Sequence, residues 1–364
     1  MARRDARRIA AAPLWLNWAC LGRRNSEDAS IDMSRAAYDL KSALRACVEW
    51  AAAWMRCPAE LVVLTSGATD ACDAILRAAR RPRAESIVVS DRAHPTVAEA
   101  TRRAAKYLSA FGGATVAYRE IALPDDPDNA TRAKAIVQRA NDASRGRPSL
   151  VVLDHVTTFG DRLPVYEIEA LMNLGSGTHL VWDGAQAVGV WRPPSPSRAD
   201  YMGCFHKYVD APVGTGFAVI RDSDLDSLPH RLAARRLDVL ETDGEFLPSD
   251  ETQKWLACAA ALAEIETAKD RVTPIRRVRG VLVSELAAEN VEIIGGESWS
   301  HILTLRLASP DLASGTWHEL ERQGFRTKLD GSHIRISLHD SLTKDDVRAF
   351  ACAFRGAMKL TRMT

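Results

Sequence analysis

Two side chains in this sequence are spaced as a reacting pair. Lys207 lies in the run Asp200-Tyr-Met-Gly-Cys-Phe-His-Lys-Tyr-Val-Asp-Ala-Pro-Val-Gly-Thr-Gly-Phe217, and Asp183 lies upstream in Val181-Trp-Asp-Gly-Ala-Gln186. The aspartate ends one strand-like stretch, and the lysine follows the next on a short loop. An amine so placed can form a Schiff base with an aldehyde. A buried carboxylate can keep a pyridine nitrogen protonated, so that the ring acts as an electron sink. These are the demands of pyridoxal 5'-phosphate (PLP) chemistry.

Other residues fit the same chemistry, though each has a plainer reading. Thr65-Ser-Gly-Ala-Thr-Asp70 follows a strand and opens a helix. Its small residues let backbone N–H groups approach an anion at a helix N-terminus, with Thr69 adding a hydroxyl. A Ser/Thr-rich capping turn is the alternative, as a helix cap is for Asp183. Gln186 reaches the same side as Asp183. His94, after the strand at 86–90, could stack on a planar ring or simply be exposed. His206 precedes Lys207, and Gly214-Thr-Gly216 follows. Arg335, in Ile-Arg-Ile-Ser, places a guanidinium inside an apolar strand, where it needs a carboxylate: a structural salt bridge or a substrate α-carboxylate. What changes the odds is the order of phosphate turn, strand-end acid and loop lysine, each after its own strand. There is no GxxxxGK loop, so a nucleotide triphosphatase lacks support.

The pattern around these residues predicts the elements that hold them. Apolar strands are expected at 61–64, 86–90, 114–118, 150–153, 179–182 and 216–220, and helices from Thr69, from about Pro95 and near 128–144. Continuous apolar strands alternating with helices indicate an α/β fold, a mostly parallel sheet covered on both faces. After about 225 the pattern changes. A helix at Lys254–Glu266, strands at 302–307 and 334–337, and helices near 313–323 and 343–360 read as a smaller α+β domain. The expected division is an N-terminal arm (1–30), a large cofactor-binding domain (31–245), and a linker helix with a small C-terminal domain (246–364). The stretch Arg192-Pro-Pro-Ser-Pro-Ser-Arg198 reads as a surface loop.

The 364 residues, 46% apolar and 26% charged, suit a globular protein of two domains. A net charge of +1 gives no footprint for nucleic acid. No run is long enough to span a membrane, and the basic start, Met1 to Ile9, lacks a secretory signal's apolar core and reads as a flexible arm. The seven cysteines form no CxxC pair, which removes the usual zinc and thioredoxin-like motifs. Their odd number suits free thiols in a reducing cytoplasm.

These residues together resemble the class-V aminotransferase branch of the fold-type I PLP enzymes, which includes cysteine desulfurases, isopenicillin-N-epimerase-like proteins and carbon–sulfur lyases. The resemblance runs from Leu16-Asn-Trp-Ala19 to Arg335-Ile-Ser337 and beyond. It implies that Lys207 carries the Schiff base, Asp183 pairs with the pyridine nitrogen, Gln186 contacts the ring hydroxyl and His94 stacks on the ring. It implies that Ala68, Thr69 and His206 hold the phosphate and Arg335 the substrate carboxylate. Asp154-His-Val-Thr-Thr158 resembles the epimerase-like strand-end loop, with Thr157 where desulfurases usually carry Asn. A homodimer acting on a small amino-acid substrate is also implied.

Three departures stand out. Cys204 occupies a position where desulfurases have a serine that binds phosphate. Asp250-Glu-Thr-Gln253 replaces the Gly-Thr-Pro that reaches the neighbouring subunit's phosphate, leaving open whether Thr252 serves instead. No cysteine falls between 258 and 352, so the mobile-loop thiol that takes up sulfur in desulfurases is missing. The expectation is a PLP enzyme, with β-elimination of a cysteine-type conjugate slightly ahead of transamination or epimerisation. The non-enzyme alternative is a binding module that kept the fold.

Overall fold

A computed structural model describes residues 14–15, 40–78, 84–112, 115–125, 128–172, 177–193, 195–221, 249–266, 270–287, 289, 291–294 and 300–363. The chain forms two compact units. One comprises residues 24–158 and 163–267, the other residues 1–23, 159–162 and 268–364.

The first unit is built on a seven-stranded sheet. Its strands are β2 (Val62–Thr65), β3 (Ser86–Ser90), β4 (Ala117–Ile121), β5 (Ser149–Asp154), β6 (Thr178–Asp183), β7 (Asp200–Cys204) and β8 (Gly216–Val219), in the order β2-β8-β7-β6-β5-β3-β4. Only β8 runs against its neighbours. Its helices are α1 (Leu40–Met55), α2 (Ala68–Ala78), α3 (Pro95–Gly112), α4 (Asn129–Ser144), α5 (Val165–Leu171) and α6 (Ser249–Glu266).

Alternation along the strands sorts the side chains onto two faces. Leu64, Leu153, Trp182, Tyr201 and Phe217 pack with α1, α4, α5 and α6. Val63, Val152, Val181, Met202 and Ala218 pack with α2 and α3. With both faces covered, the central strands are apolar throughout, which is why they were readable. The α/β expectation is met. The apolar side of α6, with Trp255, Cys258 and Leu262, is buried within this unit, so the helix does not itself demand a partner subunit.

The second unit contains a four-stranded antiparallel sheet in the order β12-β13-β10-β9. Its strands are β9 (Glu292–Ile294), β10 (Ile302–Arg306), β12 (Lys328–Asp330) and β13 (His333–Ser337). Helices α7 (Val272–Leu286), α8 (Pro310–Arg322) and α9 (Lys344–Met363) accompany it. A short parallel pair, β1 (Leu14–Trp15) with β11 (Phe325–Arg326), completes it. No helix among the described residues is long and apolar enough to cross a membrane.

Two sequence expectations shift. The strand expected at 114–118 lies at Ala117–Ile121, on the sheet edge, where exposed Arg119 and Glu120 break the apolar signal. The proline-rich segment is not wholly surface. Ser197 is buried, and its Oγ donates to Glu169 Oε1 at 2.8 Å, the atom that also accepts from Trp182 Nε1. The run 16–19, where the resemblance begins, lies outside the described residues.

Candidate active site at one end of the sheet

Apart from Thr252, the candidate residues in the first unit arise from one end of the seven-stranded sheet. There β2, β3, β5, β6 and β7 finish and the antiparallel β8 begins, and ligands of open α/β sheets bind at such carboxyl ends. Asp183 is the last residue of β6, and Lys207 lies three residues beyond the end of β7. The loop carrying Lys207 is anchored in the core. Phe205, Tyr208 and Val209 are buried, and Phe205 N–H donates to the Thr215 carbonyl at 3.0 Å. Asp183 and Lys207 are 4% and 9% exposed, so their charges interact with little screening by water.

The turn after Asp183 is tightly held. Asp183 Oδ1 accepts from Ala185 N–H at 2.8 Å, and the Asp183 carbonyl accepts from His155 N–H at 2.8 Å. Gly184 has no room for a side chain, because the Tyr201 hydroxyl fills the place its Cβ would take. That hydroxyl is 3.1 Å from His155 Nδ1. Gln186 is buried on the same turn, and Thr157 is buried in the loop after β5.

The turn after β2 leads into α2 with Ala68 and Thr69 in its first turn. Gly67 has a φ of 136°, a conformation that favours glycine. A Cβ on Gly67 would meet His206 Cε1 at 3.4 Å, and one on Gly216 would lie 2.6 Å from Gly67 Cα. Thus Gly67, His206 and Gly216 are neighbours. Thr69 Oγ1 lies 3.1 Å from Thr96 Oγ1, which in turn lies 2.8 Å from His94 Nδ1. Thr96 N–H donates to that same nitrogen at 3.3 Å, so Nδ1 is an acceptor and the ring proton belongs on Nε2. Thr96 therefore joins the stacking and phosphate candidates, a link the sequence did not reveal.

Electrostatics follow from burial. Burial pushes the Asp183 carboxyl up from its ordinary value, opposed by the Ala185 N–H and by Lys207. Burial lowers the His206 imidazole, and Lys207 lowers it further. The Cys204 thiol, pushed up by burial to about 11, remains a thiol at neutral pH and donates to the Ala185 carbonyl at 3.4 Å. It lies against the Asp183 turn. Asp154, at the end of β5, is a second buried acid that the motif reading passed over.

Two candidates stand apart from this description. Arg335 belongs to the second unit, buried on β13 opposite Thr304 and Lys328. Thr252 falls within α6.

The donor set fits PLP. It supplies an amine, a buried carboxylate, a glycine-lined turn opening a helix, and two imidazoles. Glycine at 67 and 216 lets the backbones of that turn and of β8 come together, and the turn opens a helix whose N-terminus can face a phosphate.

The solved structures similar to this chain have the same fold. The cystine C–S lyase C-DES, in complex with cysteine persulfide, aligns with a TM-score of 0.73 at 16% identity, covering 94% of this chain and 97% of that one. The cysteine desulfurase CsdA from Escherichia coli aligns with a TM-score of 0.73 at 16% identity, covering 96% of each chain. Serine palmitoyltransferase from Sphingomonas wittichii aligns with a TM-score of 0.64 at 15% identity, covering 88% and 77%. No curated protein sequence matches the chain. The profile of the family Aminotransferase class-V matches residues 23–246, more than half of the sequence. The chain therefore belongs to the class-V aminotransferase family, whose members are PLP-dependent enzymes of the fold-type I architecture.

Proposed function

We propose that this protein is a PLP-dependent carbon–sulfur lyase that acts on a cysteine-type conjugate by β-elimination. The observation that carries the reading is the buried pair Asp183 and Lys207 on successive strand ends. An idle lysine and aspartate buried together would cost stability without return. Two features favour elimination over sulfur transfer. No cysteine lies between 258 and 352 to accept sulfur as a persulfide. The fold is also shared with a cystine C–S lyase.

PLP supplies an electron sink that acidifies the Cα–H of an attached amino acid. The residues divide the remaining work. Asp183 presents its anion to the ring nitrogen, held in line by the Ala185 N–H. Lys207 would hold the aldehyde carbon, and its amine is the group placed to take and hand on the Cα proton. The turn at 66–69 and His206 receive the phosphate. His94 covers one ring face, its Nδ1 restrained by Thr96. Gln186 contacts the ring hydroxyl, with Thr157 and Cys204 lining the same side. Arg335 takes the substrate carboxylate through paired N–H donors. A homodimer in a reducing cytoplasm belongs to the same reading, and sedimentation of a monomer at full activity would remove the dimer from it.

The test is to mix PLP-loaded protein with cysteine S-conjugates and follow pyruvate, ammonia and free thiol. Elimination releases the thiol, and water converts the remaining fragment to pyruvate and ammonia. Conversion of the cofactor to its amine form, with a keto acid needed for recovery, would replace elimination by transamination. A protein-bound persulfide would overturn the exclusion of desulfurase chemistry.

A further inference from the structure

The lysine pocket holds a buried acid that the proposed chemistry leaves unused. Asp154 ends β5 in register with Asp183 at the end of β6. Neighbouring strands stand about 5 Å apart, and residues two apart along a strand share a face. Both acids therefore lie on the face of Val152 and Val181, beneath α2 and α3. Asp154 is 3% exposed, and its Oδ2 accepts from Ser90 Oγ at 3.0 Å.

Among the described residues, the two carboxyls face one ammonium, Lys207. Cys72 on α2, Cys204 at the end of β7 and Tyr201 on β7 also feel Asp183. Burial raises all three, so they stay neutral and add no anion. His206 is held toward its neutral form by burial and by Lys207. Among the described residues, the charges that act on the two acids are their own and that of Lys207.

We propose that Asp154 is a positioning residue for Asp183: a buried carboxylic acid that keeps its proton at neutral pH, so that the two carboxyls carry one negative charge and that charge resides on Asp183. This rests on the reading of Asp183 as the anion for the ring nitrogen. Burial and then Asp183 hold Asp154 well above the usual carboxylate range. Lys207 and a hydrogen bond favour the anion at both acids, the Ala185 N–H at Asp183 and the Ser90 hydroxyl at Asp154, but the Asp183 charge raises Asp154 further, which leaves the anion to Asp183. One anion against one ammonium leaves the pocket neutral. A second anion would repel the phosphate and carboxylate groups the site is built to receive.

Infrared difference spectroscopy of the cofactor-free protein in H2O and D2O tests this directly. The wild type should show a protonated-carboxyl band at neutral pH that moves on deuteration. Asp154→Asn should lose it, and Ser90→Ala should move it by removing a hydrogen bond to Asp154. No such band in the wild type, or its survival in Asp154→Asn, overturns the proposal.

Denaturant unfolding gives an independent reading. The native state holds a proton that the unfolded chain releases above about pH 4. Raising the pH should therefore weaken the wild type relative to Asp154→Asn, by up to about tenfold in the folding constant per pH unit. Equal pH slopes would also overturn it. Failure of the protein to bind added PLP at all would sink the functional reading, while the infrared band still decides where the proton resides.

Discussion

Gly67 and Gly216 approach so closely that a Cβ on Gly216 would lie 2.6 Å from the Cα of Gly67, and at the same distance from the Gly203 carbonyl oxygen. Neither obstacle is a flexible side chain. Gly216→Ala should push the turn at 66–69 away from β8, with an overpacking cost of about 1–3 kcal/mol. The expected outcome is a lower unfolding midpoint and weakened PLP binding, read by denaturation and by titration with PLP. Unchanged affinity would show that the turn does not hold the phosphate.

Lys207→Ala should leave a folded protein that no longer fixes PLP covalently. Borohydride reduction followed by peptide mapping should place the label of the wild type on Lys207. A label on another lysine would show the assignment to be wrong.

Asp183→Asn should lower turnover by a factor on the order of 10²–10³, the loss typical of removing one electrostatic stabiliser. Circular dichroism should change little, because the amide oxygen can still accept from Ala185 N–H. Unchanged turnover on any identified substrate would refute the role.

The lowered His206 has a pH signature. An imidazole in the unfolded chain takes up a proton below about pH 6.5. In the folded state it resists, because of burial and Lys207. The unfolded state then binds more protons, so this contribution is present above about pH 6.5 and is lost as the pH falls below it. Unfolding midpoints of the wild type and His206→Gln, measured across that window, should converge on acidification. Parallel curves would indicate that His206 does not titrate differently on folding.

The readable parts of the sequence were those where one local rule sufficed. Strands β5 and β6 are apolar because both faces are covered, and Asp183 and Lys207 follow strands at a recognisable spacing. Edge strand β4 was misplaced because only β3 pairs with it, and its polar residues face solvent. Helix α1 passed unread, although its buried Leu44, Cys47, Val48 and Ala51 recur at helical spacing. Asp154 could be quoted as part of a motif, but its charge state depends on the register between β5 and β6. The role of Thr96 depends on α2 and α3 bringing Thr69 and His94 together. Glu169 likewise gathers Trp182 and Ser197 from distant segments. Such relations arise from pairing and packing, which local periodicity does not encode.

Because β8 runs back between β2 and β7, Lys207 rides on a strand-to-strand return instead of a strand-to-helix crossover. Both ends of that return are stitched into the sheet, where Cys204 pairs with Gly216, and its middle is pinned by Phe205 and Tyr208. The backbone beneath the amine is thus held on both sides by buried neighbours. The nitrogen's excursion is set by the rotations of the lysine's own four methylenes, and in the proposed chemistry the working stroke is the swing of a single side chain.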